Sequence, residues 1–248
     1  MLDALTIKKI TYFFTQRLFK PPQATQVNWE IRLGTSVPWA RVWQIKSFFA
    51  TPRDQVTWLK LMHRNLYLAP HAVLPNDSTC PLCSAHQNQR HLATCPAIEN
   101  DMWLPLLDLF DRVGFPKPVN LTSFLLLGRI DHRTVVDRNQ AGALFLAWRC
   151  LYSELVRGRI DSVRPSIPHA YLRTLTMLHT RLTRYGEKWL RWVRKNRGTG
   201  NKSYIPKRHQ DKKWIQQTDD GIYAIHPALH GEIRRVRRYT ADRFVQHV

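Results

Sequence analysis

The chain has 248 residues, of which 44% are hydrophobic and nine are Trp, and its formal net charge at pH 7 is +20. The apolar content is sufficient for a core, which excludes a disordered tail, and four Cys are too few for a disulfide-rich secreted scaffold. The charge predicts a polyanionic partner: nucleic acid, an anionic membrane surface or an acidic protein. Roughly two Arg for every Lys favours nucleic acid, because guanidinium groups bind phosphates bidentately.

The first third of the chain alternates helical patterns with short breaks. Residues 1–20 have apolar side chains at helical spacing, and their excess of Lys and Arg leaves an organellar presequence as an alternative. The stretch PPQATQ at 21–26 predicts a loop, and WEIRL at 29–33 is a candidate strand. Two amphipathic helices are predicted next, at 36–50 and 51–66, the second with Val56, Leu59 and Met62 or His63 on one stripe.

Beyond the cysteines the chain predicts mostly helices. The predicted elements are a helix at 96–114 ended by Gly114, a loop and short helix at 116–128, long helices at 138–159 and 169–195, a polar linker at 198–213, a short strand at 221–225 and a basic helix at 226–248. We find no run of about 18 apolar residues, so no membrane partner is expected. The fold predicted is mainly α: a helical protein with a small CCHC zinc-binding insertion made of a knuckle and a helix.

The window TCPLCSAHQNQRHLATCPA, residues 79–97, concentrates three of the four Cys and two His. Cys80 and Cys83 have the C-x2-C spacing of a metal knuckle, and His91 and Cys95 lie four residues apart, which on a helix puts both on one face. The complete pattern, C-x2-C-x7-H-x3-C, predicts one structural Zn2+ with four protein ligands and no open position for catalysis. His86, in the middle of the loop, is the alternative to His91.

Two other interpretations of the window are weaker. A thioredoxin-like redox pair needs its CxxC at a strand-to-helix junction in an α/β unit, which the pattern lacks. Free buried thiols would not need a His and a Cys at helical spacing downstream. The fourth cysteine, Cys150, lies in an apolar helix and is predicted to be a core residue.

The positive charge is concentrated near the C-terminus. From Arg184 onward there are 16 Lys and Arg against 6 Asp and Glu, interspersed with Trp189, Trp192, Tyr204 and Trp214. Phosphate contact combined with base stacking requires such a surface, although inward packing of Trp189 and Trp192 is the simpler alternative. The predicted nucleic-acid contacts are Lys207, Arg208, Lys212, Lys213, Arg234, Arg235, Arg237 and Arg238, of which the run RRVRR also resembles a nuclear-localisation cluster.

The region from Trp39 to Trp103 resembles the zinc-binding domain that follows the polymerase in reverse transcriptases of non-LTR (LINE-type) retrotransposons. The motifs that match are WARVW at 39–43, TPRDQVTWLKLMHRNL at 51–66, CPLC at 80–83, HLATC at 91–95 and NDMW at 100–103. The Glu that often precedes the His in that family is absent, since QNQRHL occupies its place. The resemblance implies a zinc module detached from its polymerase, as a standalone or domesticated fragment.

The resemblance and the charge together divide the chain into four predicted regions. They are an N-terminal helix and linker (1–36), the zinc-binding domain (37–115), a helical bundle region (116–197) and a basic C-terminal loop and helix (198–248). We expect an intracellular, nuclear protein that binds RNA or DNA mainly through phosphates and takes no small-molecule substrate; organellar import stays an alternative.

Two other functions remain open. The chain could be a scaffold for a ribonucleoprotein or an acidic protein partner. It could also be a nuclease of the kind some retroelements carry, for which Asp131, His132 and Asp137 form the best local acidic group. Asp219 and Asp220 lack the aromatic and strand context of a polymerase metal site, and no enzyme activity is expected.

Overall fold

The computed structural model describes residues 23–47, 49–62, 79–86, 88–196, 213–217 and 223–245. The predicted helix at 1–20 and most of the predicted linker at 198–213 lie outside the described residues. The described part is mainly helical, with a Cys/His cluster between two helical regions, which confirms the predicted fold class. Within these ranges, no helix combines the length and the apolar character needed to cross a membrane.

The helices follow one another with short connections. They are α1 Gln23–Leu33, α2 Trp39–Val42, α3 Pro52–Met62, α4 Gln89–Thr94, α5 Pro96–Ile98, a π-helical segment Glu99–Trp103, α6 Leu104–Arg112, α7 Leu121–Leu127, α8 Arg138–Ile160, α9 Ile167–Asn196 and α10 Pro227–Val245. Two short strands, β1 Ile215–Gln217 and β2 Tyr223–Ile225, pair antiparallel with Ile215 opposite Ile225. The domain boundaries stay a prediction.

Three sequence predictions for the N-terminal part are wrong. The predicted loop at 21–26 and the candidate strand at 29–33 are largely replaced by helix α1. Apolar residues alternate at 29, 31 and 33, but Trp29 is buried and Ile31 is exposed, so the alternation does not mark one buried face. The predicted helix at 36–50 is reduced to α2, and downstream Ser47 Oγ accepts the N–H groups of Phe49 and Ala50 in a side-chain turn that competes with helix.

Helix α3 is present, and its predicted stripe is correct in part: Met62 is buried and Leu59 packs against the core, whereas His63 lies outside the described residues. Val56 is exposed, and the buried face carries Trp58, Leu61, Met62 and the carboxylate of Asp54. At its start, the Thr51 N–H and hydroxyl both donate to Asp54 Oδ2 at 2.7 Å, which caps the first turn.

Helix α8 is the centre of the core. It begins at Arg138 because the Asp137 side chain accepts the N–H groups of Asn139 and Gln140, and most of its 23 residues are buried. Helices α3 and α9 pack against it, and α10 packs on α9. One hydrophobic cluster extends from Trp29 in α1 to Val236 in α10, so a single core supports the metal cluster and the C-terminal helix.

Buried tryptophans connect distant parts of the chain. Each of four indole N–H groups donates to a backbone carbonyl, which satisfies its only polar atom inside the core. The pairs are Trp29 to Met62 at 2.7 Å, Trp103 to Leu92 at 2.9 Å, Trp148 to Leu125 at 2.7 Å and Trp214 to Asn139 at 3.1 Å.

Candidate metal centre

The first half of the cluster is a tight knuckle. The Cys80 N–H donates to Ala85 O at 2.7 Å, and the Ser84 N–H donates back to Cys80 O at 2.9 Å. Ser84 has φ +60, so the chain reverses in the left-handed region, and Thr79 pairs with His86 in an isolated antiparallel bridge. This turn brings the thiols of Cys80 and Cys83 to the same side.

The second half comes from the short helix α4 and the residue that follows it. Asn88 caps α4 by accepting the His91 N–H at 2.9 Å, which fixes the helix and the position of His91. The helix ends at Thr94, and Cys95 is extended (φ −67, ψ 121), as expected before Pro96. His91 and Cys95 therefore converge across the helix end, whereas the sequence predicted that both lie on the helix.

The four side chains selected by the sequence pattern lie together. One ligand atom from each of Cys80, Cys83, His91 and Cys95 lies within 4.8 Å of all the others. The sulfur atoms of Cys80 and Cys95 are 3.9 Å apart, those of Cys95 and Cys83 are 3.7 Å apart, and Cys83 Sγ is 3.3 Å from His91 Nε2. In a tetrahedral site with metal–sulfur bonds of about 2.3 Å, sulfur ligands are separated by about 3.8 Å. The spacing therefore fits a metal ion at the centre of a tetrahedron.

The cluster is buried on one side and open on the other. Cys80 and Cys95 are 1% and 0% exposed, His91 is half-buried and Cys83 is exposed. The ion would enter from the Cys83 side, and the two buried thiols would hold it against the core. With four protein ligands, the arrangement leaves no coordination position for a substrate or an activated water, as is typical of structural sites.

Protonation in the metal-free cluster differs between the ligands. Burial is the main factor that raises the pKa of Cys95, to about 12, and the neighbouring thiol groups of Cys80 and Cys83 add to it. The pKa of Cys83 is lowered, because hydrogen bonds from the Ala85 backbone and from the Cys95 and Cys80 side chains outweigh its desolvation. Burial and the nearby charge of His86 lower the pKa of His91, which favours the neutral imidazole that binds metals. Metal binding must therefore displace the proton of the Cys95 thiol.

The cluster is attached firmly to the core. The Trp103 indole donates to Leu92 O in α4 and its ring lies 4.9 Å from that of Trp148 in α8. Outside the core, an Arg164 guanidinium nitrogen lies 3.4 Å from Leu82 O in the knuckle. A metal ion that closes the knuckle onto α4 would thus order a segment that reaches the centre of the fold.

The alternative ligand His86 and the fourth cysteine, Cys150, are not part of the cluster. His86 is exposed and is not part of the group whose ligand atoms converge within 4.8 Å. Cys150 is 2% exposed in α8, with its sulfur 3.7 Å from that of Met177, which confirms the predicted core position.

The predicted nucleic-acid contacts are distributed unevenly. Lys207, Arg208 and Lys212 lie outside the described residues. Lys213 is exposed, with Nζ bonded to Gly114 O and 5.1 Å from the centre of the Phe115 ring. Trp214, one of the aromatics considered for base stacking, is fully buried against Phe110 and Phe115.

The four arginines of α10 have different environments. Arg235 forms an ion pair with the buried Glu232, which also binds Arg112 and the Tyr171 hydroxyl. Arg234, Arg237 and Arg238 are exposed, and no ion pair involves them among the described residues. Their nucleic-acid role stays a prediction.

The structure adds two histidines that the sequence did not single out. His179 of α9 and His230 of α10 lie with ring centres 4.9 Å apart, next to Arg237. Burial lowers the pKa of His179, and the positive charges of His230 and Arg237 lower it further. We call His179, His230, Arg234, Arg237 and Arg238 the cationic face. Its members on α10 are spaced i, i+4, i+7 and i+8, and this helical spacing is the sequence signal that places His230 beside the arginines.

The carboxylates considered for a nuclease accept hydrogen bonds from backbone N–H groups. Asp131 Oδ1 accepts the N–H groups of Arg133 at 2.6 Å and Thr134 at 2.7 Å, and Asp137 caps α8. Asp131 therefore stabilises a loop and Asp137 the start of a helix. Asp219 and Asp220 lie outside the described residues.

Comparisons with known proteins add no family assignment. No protein-family model, no curated protein and no solved structure matches the chain. The Cys/His geometry and the cationic face are therefore the features that bear on function.

Proposed function

We propose that this chain is a zinc-stabilised nucleic-acid-binding protein that contacts RNA or DNA mainly through phosphates. The observation that carries the proposal is the cationic face, where three exposed arginines of one helix have no ion pair among the described residues. The Cys/His cluster supports the proposal, because an ion bound there would stabilise the fold that carries the cationic face. The proposal includes an origin in the C-terminal region of a non-LTR reverse transcriptase, which is supported by the Trp, Cys and His motifs between Trp39 and Trp103.

Zinc is the ion that suits the four ligands. Three thiolates and one imidazole at tetrahedral spacing match the Cys3His class of structural zinc sites. Hard cations such as Mg2+ and Ca2+ prefer oxygen ligands, of which this cluster has none. The zinc ion would hold the knuckle on α4 and so keep Trp103 seated against α8.

The cationic face is electrostatically costly unless an anion covers it. Like charges at i, i+3 and i, i+4 on a helix each destabilise it by about 0.2–0.5 kcal/mol, and Arg234 forms such pairs with both Arg237 and Arg238. Burial is the main cause of the lowered pKa of His179, and the neighbouring His230 and Arg237 lower it further. A phosphate backbone supplies closely spaced negative charges, and its binding releases counterions.

Binding of this kind has low sequence specificity. Guanidinium contacts to phosphates fix position and orientation, whereas specificity needs contacts to base edges or stacked bases. The packing of Trp214 in the core removes one of the aromatic side chains considered for stacking. We therefore propose affinity for many RNA or DNA sequences and, because RRVRR is largely exposed, a nuclear location.

The test compares binding affinities over a range of salt concentrations. The triple variant Arg234→Gln, Arg237→Gln and Arg238→Gln removes the face, and the control Arg32→Gln, Arg53→Gln and Arg133→Gln removes the same charge from exposed positions elsewhere. Each lost phosphate contact reduces the slope of log K against log salt by about 0.9 on duplex DNA and about 0.7 on single strands. We expect the face variant to reduce the slope by up to about 2.7 on duplex DNA, and the control variant to change it by much less.

The possible results separate the functions. Equal slopes for the wild type and the face variant would contradict the assigned contact surface. Affinity of the wild type that stays constant over the salt range would contradict phosphate binding itself. A folded wild type without affinity for purified RNA or DNA would favour the scaffold with an acidic protein partner.

A further inference from the structure

A small cavity lies where the end of α1 meets the start of α7 and the loop that follows α7. Its volume is about 210 Å3; Ser123, Arg129 and Ile130 are its buried residues, and Thr35, Asn120 and His132 lie at its exposed rim. Backbone hydrogen bonds hold the loop in place, from Val119 N–H to Ile130 O at 2.8 Å and from Val136 N–H to Gly128 O at 2.7 Å. Backbone hydrogen bonds therefore fix the side of the cavity formed by α7 and the loop that follows it.

The cavity contains a buried positive charge without a partner in the described part of the chain. Arg129 is 5% exposed, and its Nε and Nη1 have no hydrogen-bond partner. The other buried ion pairs of this protein show the usual arrangement, in which Asp54 and Glu232 are each contacted by arginines. A desolvated guanidinium with unused donors is strongly unfavourable unless an anion accepts from it.

A second unused donor lies in the same cavity. Ser123 is 5% exposed, and its Oγ has no hydrogen-bond partner. A hydroxyl and a guanidinium that belong to residues lining one cavity can donate to different oxygens of one tetrahedral anion. The small volume, below the 300–1,000 Å3 typical of larger ligands, suits an ion or a terminal group better than a whole metabolite.

We propose that this cavity is a binding site for a phosphate group, with Arg129 as the charged ligand and Ser123 as the neutral donor. Nε and Nη1 of Arg129 and Oγ of Ser123 are closed to solvent, so binding requires both side chains to turn toward the cavity. The charge-assisted hydrogen bonds formed there offset the cost of this movement. The phosphate can come from inorganic phosphate or from the 5′ end of a nucleic-acid strand, because both present the same oxygens.

One acidic residue in the cavity wall opposes an anion. Asp131 lines the cavity, and hydrogen bonds from the backbone N–H groups of Arg133 and Thr134 lower its pKa and keep it charged. Those two bonds take up Oδ1, and no ion pair joins Asp131 to Arg129 within the described residues. Asp131 is half-buried and keeps more contact with solvent than the buried Arg129, and this solvent screens its repulsion.

Thermal unfolding of the full chain tests the site independently of nucleic-acid binding. The probe is sodium phosphate, compared with sodium chloride at equal ionic strength, because a chain of net charge +20 responds to any salt. Above the Kd, each tenfold increase in phosphate should raise the unfolding midpoint by roughly 3 °C. The variants are Arg129→Met and Ser123→Ala, with Arg133→Met as the control that removes an exposed charge close by.

A second measurement identifies the source of the phosphate. Two oligonucleotides of one sequence, with a 5′-phosphate and with a 5′-hydroxyl, are titrated against the wild type and Arg129→Met. If the strand end is the ligand, the phosphorylated strand should bind the wild type about 10-fold or more tightly than the other, and the variant should not distinguish them. Equal binding of both strands, with the phosphate response kept, assigns the site to free phosphate.

The proposal predicts that Arg133→Met keeps the phosphate-specific response, that Arg129→Met loses it and that Ser123→Ala reduces it. It is overturned if the wild type and Arg129→Met respond equally to phosphate and to the 5′-phosphate. If Arg129→Met does not fold, Ser123→Ala decides, and a response equal to that of the wild type overturns the site.

Discussion

Replacing Asp54 with Asn tests how the fold around the metal centre is held. Asp54 is fully buried at the start of α3, where its carboxylate binds Arg149 of α8 at 2.7 Å and also Arg181 of α9. Burial alone would raise its pKa, but hydrogen bonds from Arg181, Arg149 and Thr51 outweigh burial and lower the pKa from 3.8 to about 2. Three helices therefore depend on one charged carboxylate.

The size of the effect follows from this pKa. Because a pKa shift equals a difference in folding free energy, the depression corresponds to roughly 2 kcal/mol at neutral pH. Asn keeps the shape but removes the charge, which leaves two arginines without their counterion. Removing one partner of a buried pair costs about 3–5 kcal/mol, so we expect Asp54→Asn to lose about that much.

Urea unfolding of the wild type and the variant, from neutral to acid pH, measures this loss. Because the pKa of Asp54 is depressed in the folded state, the contribution of its charge to the free energy of unfolding is complete above pH 3.8. This contribution is lost as the pH falls toward 2. The difference between the two proteins should therefore shrink in that range. The control is Asp108→Asn, which removes an exposed ion pair with Arg112 and should cost less than about 1 kcal/mol. A cost for Asp54→Asn no larger than the control's, or a difference independent of pH, would refute this reasoning.

Two further substitutions test the fold near the cavity and near the cationic face. Gly128→Ala should cost about 2–3 kcal/mol in chemical unfolding, since Gly128 has φ +65 and the ends of the Ile45 and Val136 side chains, 2.9 and 3.0 Å from a Cβ, would have to move. Gly114→Ala is its control, with φ +84 but open space, and should cost only about 1–2 kcal/mol; equal costs would contradict the steric part of the argument. Glu232→Gln should lower the midpoint of thermal unfolding by several degrees, because the Glu232 carboxylate binds two arginines and the Tyr171 hydroxyl. Burial would raise the pKa of Glu232, but the two arginines outweigh burial and lower it. The decrease in the unfolding midpoint should become smaller at acid pH. A variant as stable as the wild type at neutral pH would show that this network contributes nothing to stability.

The sequence predicted the parts of the structure that depend on local chemistry. The ligand set followed from spacing, because a C-x2-C turn and a His/Cys pair four apart keep their side chains close, although Cys95 lies just beyond the helix rather than on it. The end of the helix before Gly114 and the long buried helix α8 were predicted for the same reason, since φ > 0 and continuous apolar runs are local properties.

Features that depend on distant partners were not predictable. The alternation at 29–33 indicated a strand, but the Trp29 indole bonds Met62 O from within a helix. Arg129 resembled any other basic residue in the sequence, and only the fold shows that it is buried without a counterion. The contact between His179 and His230 depends on how α9 packs on α10, which residues 51 positions apart in the chain do not reveal.

The most direct test of the account is zinc content measured together with thermal unfolding. Purified wild type should contain one equivalent of zinc per chain, which Cys83→Ala and Cys95→Ala lose and His86→Ala and Cys150→Ala retain. Removing zinc with a chelator should release Trp103 from its position and lower the unfolding midpoint of the wild type, because ligand binding at such sites is coupled to folding. A metal-free wild type that unfolds at the same temperature as the zinc-bound protein would contradict the structural role assigned to the centre.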